Sequence, residues 1–226
     1  MEPGTSKISG LPLYTAEALI LRTYKLGEAD RIVVFLTRNR GKKRGVAKGA
    51  RRPRSRFTCA LEPLTEVRIA YFESERRELV GVNYAEPVRS PLTLGASEAL
   101  GYVGYFAELL DECAQEADAD ERLYRLGAAV LEALAAGAPV EPLARYFEYW
   151  LLRLQGVYPE ARGTLSDGAL SFLAASRALA PSRVGELPSG ATVLRELEGV
   201  HRALIAVHLE KSLKSDRVIR DLRRHS

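Results

Sequence analysis

The apolar residues of this chain change their spacing once, near residue 90, and that change limits the folds open to it. Upstream, apolar positions fall in short runs, "TAEALILR", "RIVVFLT", "GKKRGVAK", "LTEVRIAYF" and "ELVGVNYA", separated by the turn-like "KLGEAD", "RNRG" and "ESERR". Alternation is clearest in the fourth, where Val67, Ile69 and Tyr71 share one face and Glu66, Arg68 and Ala70 the other. In the fifth, Val80, Val82 and Tyr84 fall together. Five short strands between residues 15 and 85 predict a small closed or nearly closed barrel, with an SH3-like barrel as the main rival.

Beyond the Pro-containing "EPVRSPLTLG" the period becomes helical. Leu100, Val103, Phe106, Leu110 and Cys113 mark one helix with Ser97 as its candidate N-cap, and Leu123, Leu126, Val130 and Leu134 mark a second. Pro142 opens a third, whose stripe runs through Leu143, Phe147, Trp150, Leu151 and Leu154. "SDGALSFLAASRAL" is a shorter fourth, and a fifth starts near Ser189 and runs into "HLEKSLKSDRVIRDL". Strands followed by helices, without alternation between them, predict an α+β chain: a β-barrel over residues 15–90, then an all-helical domain over 91–226. Residues 1–14 are expected to be a flexible N-terminus. Trp150 and its neighbours are the expected centre of the bundle.

Charge is segregated far more than the net +4 implies. Between Arg22 and Arg56 thirteen Lys and Arg face only Glu28 and Asp30, a local excess of +11, whereas residues 98–135 carry an excess of −7. The densest stretch is "GKKRGVAKGARRPRSRF", residues 41–57, with eight cations and no acid. In an extended strand Lys42, Arg44, Val46 and Lys48 share one face, while Lys43, Gly45, Ala47 and Gly49 share the other. The mostly small face is expected to point into the barrel and the cationic face outward. Arg51, Arg52, Arg54 and Arg56 follow in a loop that Gly49 and Pro53 keep irregular. Arginine forks bind phosphate through paired hydrogen bonds and lysine adds a mobile charge, so nucleic acid is the partner this run fits. Arg38 and Arg40 precede the run and join it as candidates. Tyr24, Phe35 and Phe57 lie near enough in sequence to stack on unpaired bases, although Phe35 reads as core.

Other classes are disfavoured. No apolar run approaches the roughly 18 residues that cross a bilayer, and no signal-peptide order opens the chain, so the expected location is cytoplasmic and nucleoid-associated. Cys59 and Cys113 lack metal-ligand spacing and read as buried small hydrophobes. His201 and His208 have no third ligand in sight and read as surface or packing residues. Asp30 and Glu28 read as local hydrogen-bonding groups, and the acidic faces of the first two helices as solvent-facing. A second basic cluster, Lys211 to Arg224, is interrupted by acids. Phosphate-binding, metalloprotease and nucleophile-elbow motifs are missing, so neither catalysis nor a cofactor is expected.

The run "ALILRTYKLGEADRIVVFLTRNRGKKRGVAKGARRPRSRFTCALEPLTEVRIAYF" resembles the bacterial RecO recombination mediators, and the likeness returns in "VHRALIAVHLEKSLKSDRVIRDL". The resemblance implies an oligonucleotide-binding (OB) barrel of five strands followed by a helical domain. It further implies binding of single- and double-stranded DNA, annealing of complementary strands and, with RecR, loading of RecA onto DNA coated by the single-strand-binding protein SSB. The family's DNA-binding cations correspond to Lys42, Arg44 and Lys48. Many relatives carry a four-cysteine zinc site near "GVYPEARGTLSDGALSFL", which here has neither Cys nor His, so no metal is expected. The family's helical domain also takes the acidic tail of SSB, for which Arg145, Arg153 and Arg162 are candidates. The alternatives are an RNA-binding or ribosome-associated barrel, which phosphate contacts alone do not separate from a DNA binder, and an adaptor docking an acidic protein.

Overall fold

The computed structural model of the chain describes residues 6–8, 11–74, 76–93, 97–116, 118–159, 165–211, 213–215 and 219. It divides into two compact units, one of residues 1–92 and 107–127, the other of 93–106 and 128–226. The boundary expected at residue 90 is therefore not a single point, because a helical stretch returns to the barrel.

In the first unit, strands β1 (Ser6–Ile8), β2 (Leu11–Leu26), β3 (Asp30–Thr37), β4 (Gly41–Ala47), β5 (Glu66–Phe72) and β6 (Val80–Arg89) form one sheet in the order β1-β2-β3-β4-β6-β5. β2 also pairs with β5, from Leu13↔Phe72 to Leu19↔Glu66, so the ladder closes on itself and leaves β1 outside the ring. Among the described strands, β4 and β6 are the one pair that runs parallel. The length of β2 makes closure possible: a register shift between Ile20 and Arg22 lets one strand serve β5 with its first half and β3 with its second. β2 begins at Leu11 and pairs with β5 of the ring from Leu13 onward, so the strand starts inside the stretch expected to be a flexible N-terminus.

Alternation places Ala18, Ile20, Val33, Phe35, Val67, Ile69 and Tyr71 in the barrel core, with Phe57 and Leu61 of the following loop beside them. Val80 and Val82 join that core, but Tyr84 does not. A register shift opposite Ala70 and Tyr71 reverses the alternation of β6, so Ala85 is buried and Tyr84 faces out.

Helices α1 (Ser97–Cys113) and α2 (Glu121–Ala135) follow. Their stretch within the first unit covers outward-facing apolar residues of the barrel: a side chain at Gly127 would meet Leu19 Cδ1 and Leu110 Cδ1 within 3 Å. Asp120 caps α2, its Oδ1 accepting from the Arg122 and Leu123 amides.

The second unit packs α3 (Val140–Leu154) against α5 (Ala191–Leu209), α4 (Asp167–Ser176) and a 3₁₀ turn (Pro181–Glu186). Its centre is aromatic, with Phe106 and Phe147 rings 4.9 Å apart and Phe172 fully buried. Trp150 is only half-buried and donates from Nε1 to the Ser176 carbonyl, so it rims this core instead of centring it. α5 stops at Leu209, where Glu210 takes a left-handed conformation (φ 52°), short of the expected continuation.

His201 is fully buried. Its Nδ1 lies 3.0 Å from Glu148 Oε2 and its Nε2 3.2 Å from the Tyr158 hydroxyl. The other Glu148 oxygen accepts from Arg145 Nη2 at 2.7 Å and from the Tyr105 hydroxyl at 2.6 Å. Burial alone would raise the Glu148 carboxyl, but Arg145, His201 and Tyr105 outweigh it and hold the group below its ordinary value. A side chain read as surface or simple packing is therefore a member of a buried polar cluster centred on Glu148.

Candidate nucleic-acid interface

β4 presents its two faces largely as the alternation requires: Gly41, Gly45 and Ala47 are buried and Lys42, Arg44 and Val46 are not, but Lys43, expected on the inner face, is only half-buried. Two glycines are obligatory in this strand. A Cβ on Gly45 would lie 2.7 Å from Val80 Cγ2, and one on Gly41 (φ +66°) 2.4 Å from the backbone oxygen of Asp118.

The cations of the run fall into three conditions. Lys42 is locked: its Nζ donates to the Asp111 carbonyl at 2.6 Å and lies 3.3 Å from Asp111 Oδ1, with the two side chains only 15% and 12% exposed. Arg22 holds the other oxygen of that carboxylate at 2.6 Å and reaches Glu112 at 3.4 Å. Arg38 bridges Glu17 and Glu121 at 3.0 and 2.9 Å, and Arg40 stacks on the Tyr14 ring at 4.0 Å. Lys42 and Arg38 are thus engaged within the molecule by Asp111 of α1 and Glu121 of α2, while Glu121 and Glu132 stay exposed on α2 as expected. Asp111 itself is buried.

Lys43 and Arg44 are held by the β5–β6 connection. Lys43 Nζ meets Glu73 at 2.6 Å, and Arg44 Nη1 meets Glu78 at 3.3 Å. The second contact is the looser, with Arg44 40% and Glu78 81% exposed. These residues line an open hollow of about 850 Å³ that Arg76 and Arg77 also border.

The third group is free of carboxylates. Among the described residues, Lys48, Arg52, Arg54 and Arg56 make no ion pair, and all are exposed, as is Arg51. The loop carrying them is pinned at both ends. Asp30 Oδ1 accepts from the Gly49 amide at 2.7 Å, the Ala29 carbonyl from the Arg51 amide at 2.9 Å, and the Gly27 carbonyl from Arg51 Nη1 at 2.7 Å. At the far end Phe57, Ala60 and Leu61 plug the barrel. Between these anchors Arg52 N bonds Gly49 O, Ser55 N bonds Arg52 O and Arg54 takes a left-handed φ of 60°, so the guanidinium groups project from a folded loop. Asp30 does bond a backbone amide, but that of Gly49, 19 residues away, rather than one within its own turn; Phe35 and Phe57 are core, which leaves Tyr24, 44% exposed, as the accessible ring of the three.

The family is settled by the chain's similarity to known proteins. Residues 11–91 match the family described as recombination protein O, N terminal, and residues 95–162 its C-terminal counterpart. A DNA repair protein RecO from a Nocardioides species is 35% identical over 90% of this chain and 97% of its own length. The chain belongs to the RecO family. A RecO from Koribacter versatilis is 41% identical over 66% of this chain, and one from an Anaeromyxobacter species 36% over 67%, the matched stretches spanning 61% and 60% of those two proteins. The matched relatives are named as DNA repair proteins, and the closed barrel followed by helices accords with the OB-plus-helical architecture expected of the family.

In the second unit of this RecO-family chain, the tail-binding candidates separate. Arg145 is buried, with Glu148 at 2.7 Å and Glu198 at 3.6 Å, so it is spent inside the unit and does not rim a pocket. Arg162 lies outside the described residues, as do Arg217, Arg220, Arg223 and Arg224 of the second basic cluster. Arg153 is exposed, its guanidinium 5.7 and 5.8 Å from the Tyr149 and Trp150 rings, and Arg177 donates to the Tyr149 hydroxyl at 2.6 Å. Sequence reading missed Arg177, and no spacing signal ties it to α3. Among the described residues no group of three His, Cys, Asp or Glu could hold a metal, and no helix is long and apolar enough to cross a membrane. Cys59 is exposed, contrary to expectation, at a left-handed φ of 61° in the basic loop. Burial pushes the Cys113 thiol up to about 12.

Proposed function

We propose that this chain binds single- and double-stranded DNA through the end of β4 and its following loop, anneals complementary strands, and with RecR helps to load RecA onto SSB-coated single strands in recombinational repair. The observation that carries the reading is the pinned loop with Lys48, Arg52, Arg54 and Arg56 exposed and clear of carboxylates, beside the weakly paired Arg44. Close packing of these cations is repulsive until a polyanion neutralises it. Lys42, Lys43, Arg38 and Arg40 shape the surface, and Arg51 both fixes the loop and adds charge. Annealing follows physically, because a basic surface that engages two strands lowers their mutual phosphate repulsion without nucleotide hydrolysis. The acidic tail of SSB fits the Arg153 and Arg177 face of the second unit, where cations border the Tyr149 and Trp150 rings.

The test is annealing of complementary oligonucleotides coated with SSB, with and without the protein. Acceleration that disappears when Arg52, Arg54 and Arg56 are replaced by Gln supports the reading, and unchanged annealing by the variant removes it. Matched DNA and RNA titrations address the alternative substrate, since preference for strands bearing 2′-hydroxyls would make this an RNA-binding barrel.

A further inference from the structure

The outer face of β2, β3 and β4 carries one apolar row between two rows containing cations. Strand register sets Tyr24 opposite Ile32, and Ile32 opposite Val46. One step along the strands lie Arg22, Val34 and Arg44, which are likewise in register. One step the other way, β2 ends at Leu26 opposite Asp30, and β4 ends at Ala47 with Lys48 the next residue along the chain. All three central residues face away from the barrel, since their neighbours Val33 and Ala47 are core and Thr23 pairs with Val33. Ile32 and Val46 are half-exposed, and Tyr24 is among the few large hydrophobic side chains left in solvent. Successive rows on one sheet face are roughly 7 Å apart, so Arg44 stands about that far from the apolar row on one side, and Lys48, with Asp30 in the same row, on the other.

The Tyr24 ring is also oriented. Arg22 Nη1 donates to its hydroxyl at 3.2 Å and the guanidinium carbon lies 6.0 Å from the ring centroid. Arg22 is itself fastened to Asp111 at 2.6 Å, so the phenol is tethered through an ion pair rather than left to rotate freely. A solvent-facing aromatic, held at its polar end and continued by two aliphatic side chains, offers a flat surface for a planar ring. The flanking Arg44 and Lys48 supply charge for an anionic chain on either side.

We propose that Tyr24, Ile32 and Val46 form a stacking subsite for one unpaired nucleobase, whose flanking phosphates are taken by Arg44 and Lys48. This rests on the nucleic-acid reading above and deepens it. The subsite separates single strands from duplex, because a base inside a helix has its faces covered and does not reach Tyr24. It is indifferent to base identity, since every base has a π-face.

The test compares the full chain with Tyr24→Ala and Tyr24→Phe, titrated by anisotropy against labelled oligothymidylate, an abasic strand of equal length and a duplex. Tyr24→Ala is expected to weaken oligothymidylate binding about 5- to 100-fold, the range for losing one base–aromatic stack. Abasic-strand and duplex affinities and the salt slope stay within twofold of the unaltered chain. Tyr24→Phe keeps the ring and retains oligothymidylate affinity within about threefold, which separates stacking from a structural role of the hydroxyl. Equal losses on oligothymidylate and abasic strands, or none on either, would overturn the subsite while leaving phosphate binding intact. If the unaltered chain binds none of the three, the underlying nucleic-acid reading falls and the subsite with it.

Discussion

Replacing Lys42 by Met should cost stability and leave DNA binding nearly untouched, whereas replacing Arg52, Arg54 and Arg56 by Gln should do the reverse. Five cations, Arg44, Lys48, Arg52, Arg54 and Arg56, are in position to meet phosphates. At about 0.7 per contact on a single strand, the log–log salt slope is about −3.5 for the unaltered chain and about −1.4 for the triple variant. Between 50 and 200 mM salt the former should lose about 130-fold in affinity and the latter about 7-fold. Lys42 points the other way: with side chains 15% and 12% exposed, it and Asp111 form a pair that is neither free in solvent nor fully dry. Breaking a fully buried pair costs about 3–5 kcal/mol and an exposed one about 0–1. Because Asp111 keeps Arg22 at 2.6 Å, Lys42→Met should cost about 1–2 kcal/mol and move the salt slope by less than about 0.3. Fluorescence anisotropy with oligothymidylate at several salt concentrations, and urea unfolding of the same samples, measure the two quantities. A flattened slope for Lys42→Met together with an unchanged slope for the triple variant would refute the division of the cations drawn here.

Glu73 and Glu78 hold Lys43 and Arg44 where phosphates would otherwise sit, so Glu73→Gln with Glu78→Gln should tighten single-strand binding and steepen the slope by about 1, read from the same titrations. Glu148 ionises below its ordinary value of 4.5, so its stabilising contribution is complete above that pH and is lost as pH falls through the lower, folded value. Tyr105→Phe removes a 2.6 Å donor to the carboxylate, which should make this acid-induced loss smaller and complete it at a higher pH in denaturation curves recorded from pH 6 to pH 3 (a window of roughly three units). With Cys59 exposed and the Cys113 thiol raised to about 12, a chromogenic disulfide reagent at neutral pH should titrate one fast thiol, which Cys59→Ser abolishes.

What could be read from the sequence was what depends on neighbours in the chain. Alternation fixed which face of β4 enters the barrel, because Gly45 and Ala47 are the small members of a two-residue period. It failed at Tyr84, where a bulge inserts one residue and reverses the period of β6. Gly49 and Pro53 interrupt regular structure, which put the loop cations in an irregular loop from the sequence, and that loop leaves them exposed. The fate of Lys42 was not legible: its partner is 69 residues away, on a helix whose acids looked like an ordinary solvated face. The same holds for His201, which meets Glu148 from 53 residues away, whereas the Arg145–Glu148 pair has the i,i+3 spacing that a helix makes legible. Pairings across such separations leave no mark in local spacing, so a count of like charges overstated how many of them were free.

The return of residues 107–127 to the barrel unit bears on how the chain is made. As it leaves the ribosome, the strand bearing Lys42 emerges long before Val80, its parallel neighbour's first paired residue, and longer still before Asp111. Until then the nascent barrel has an unpaired strand edge, uncompensated positive charge at Arg22 and Lys42, and Leu19 without Gly127 against it. A truncation near residue 92 would freeze the polypeptide in that unfinished condition, so a stable minimal fragment of the barrel has to extend through Gly127.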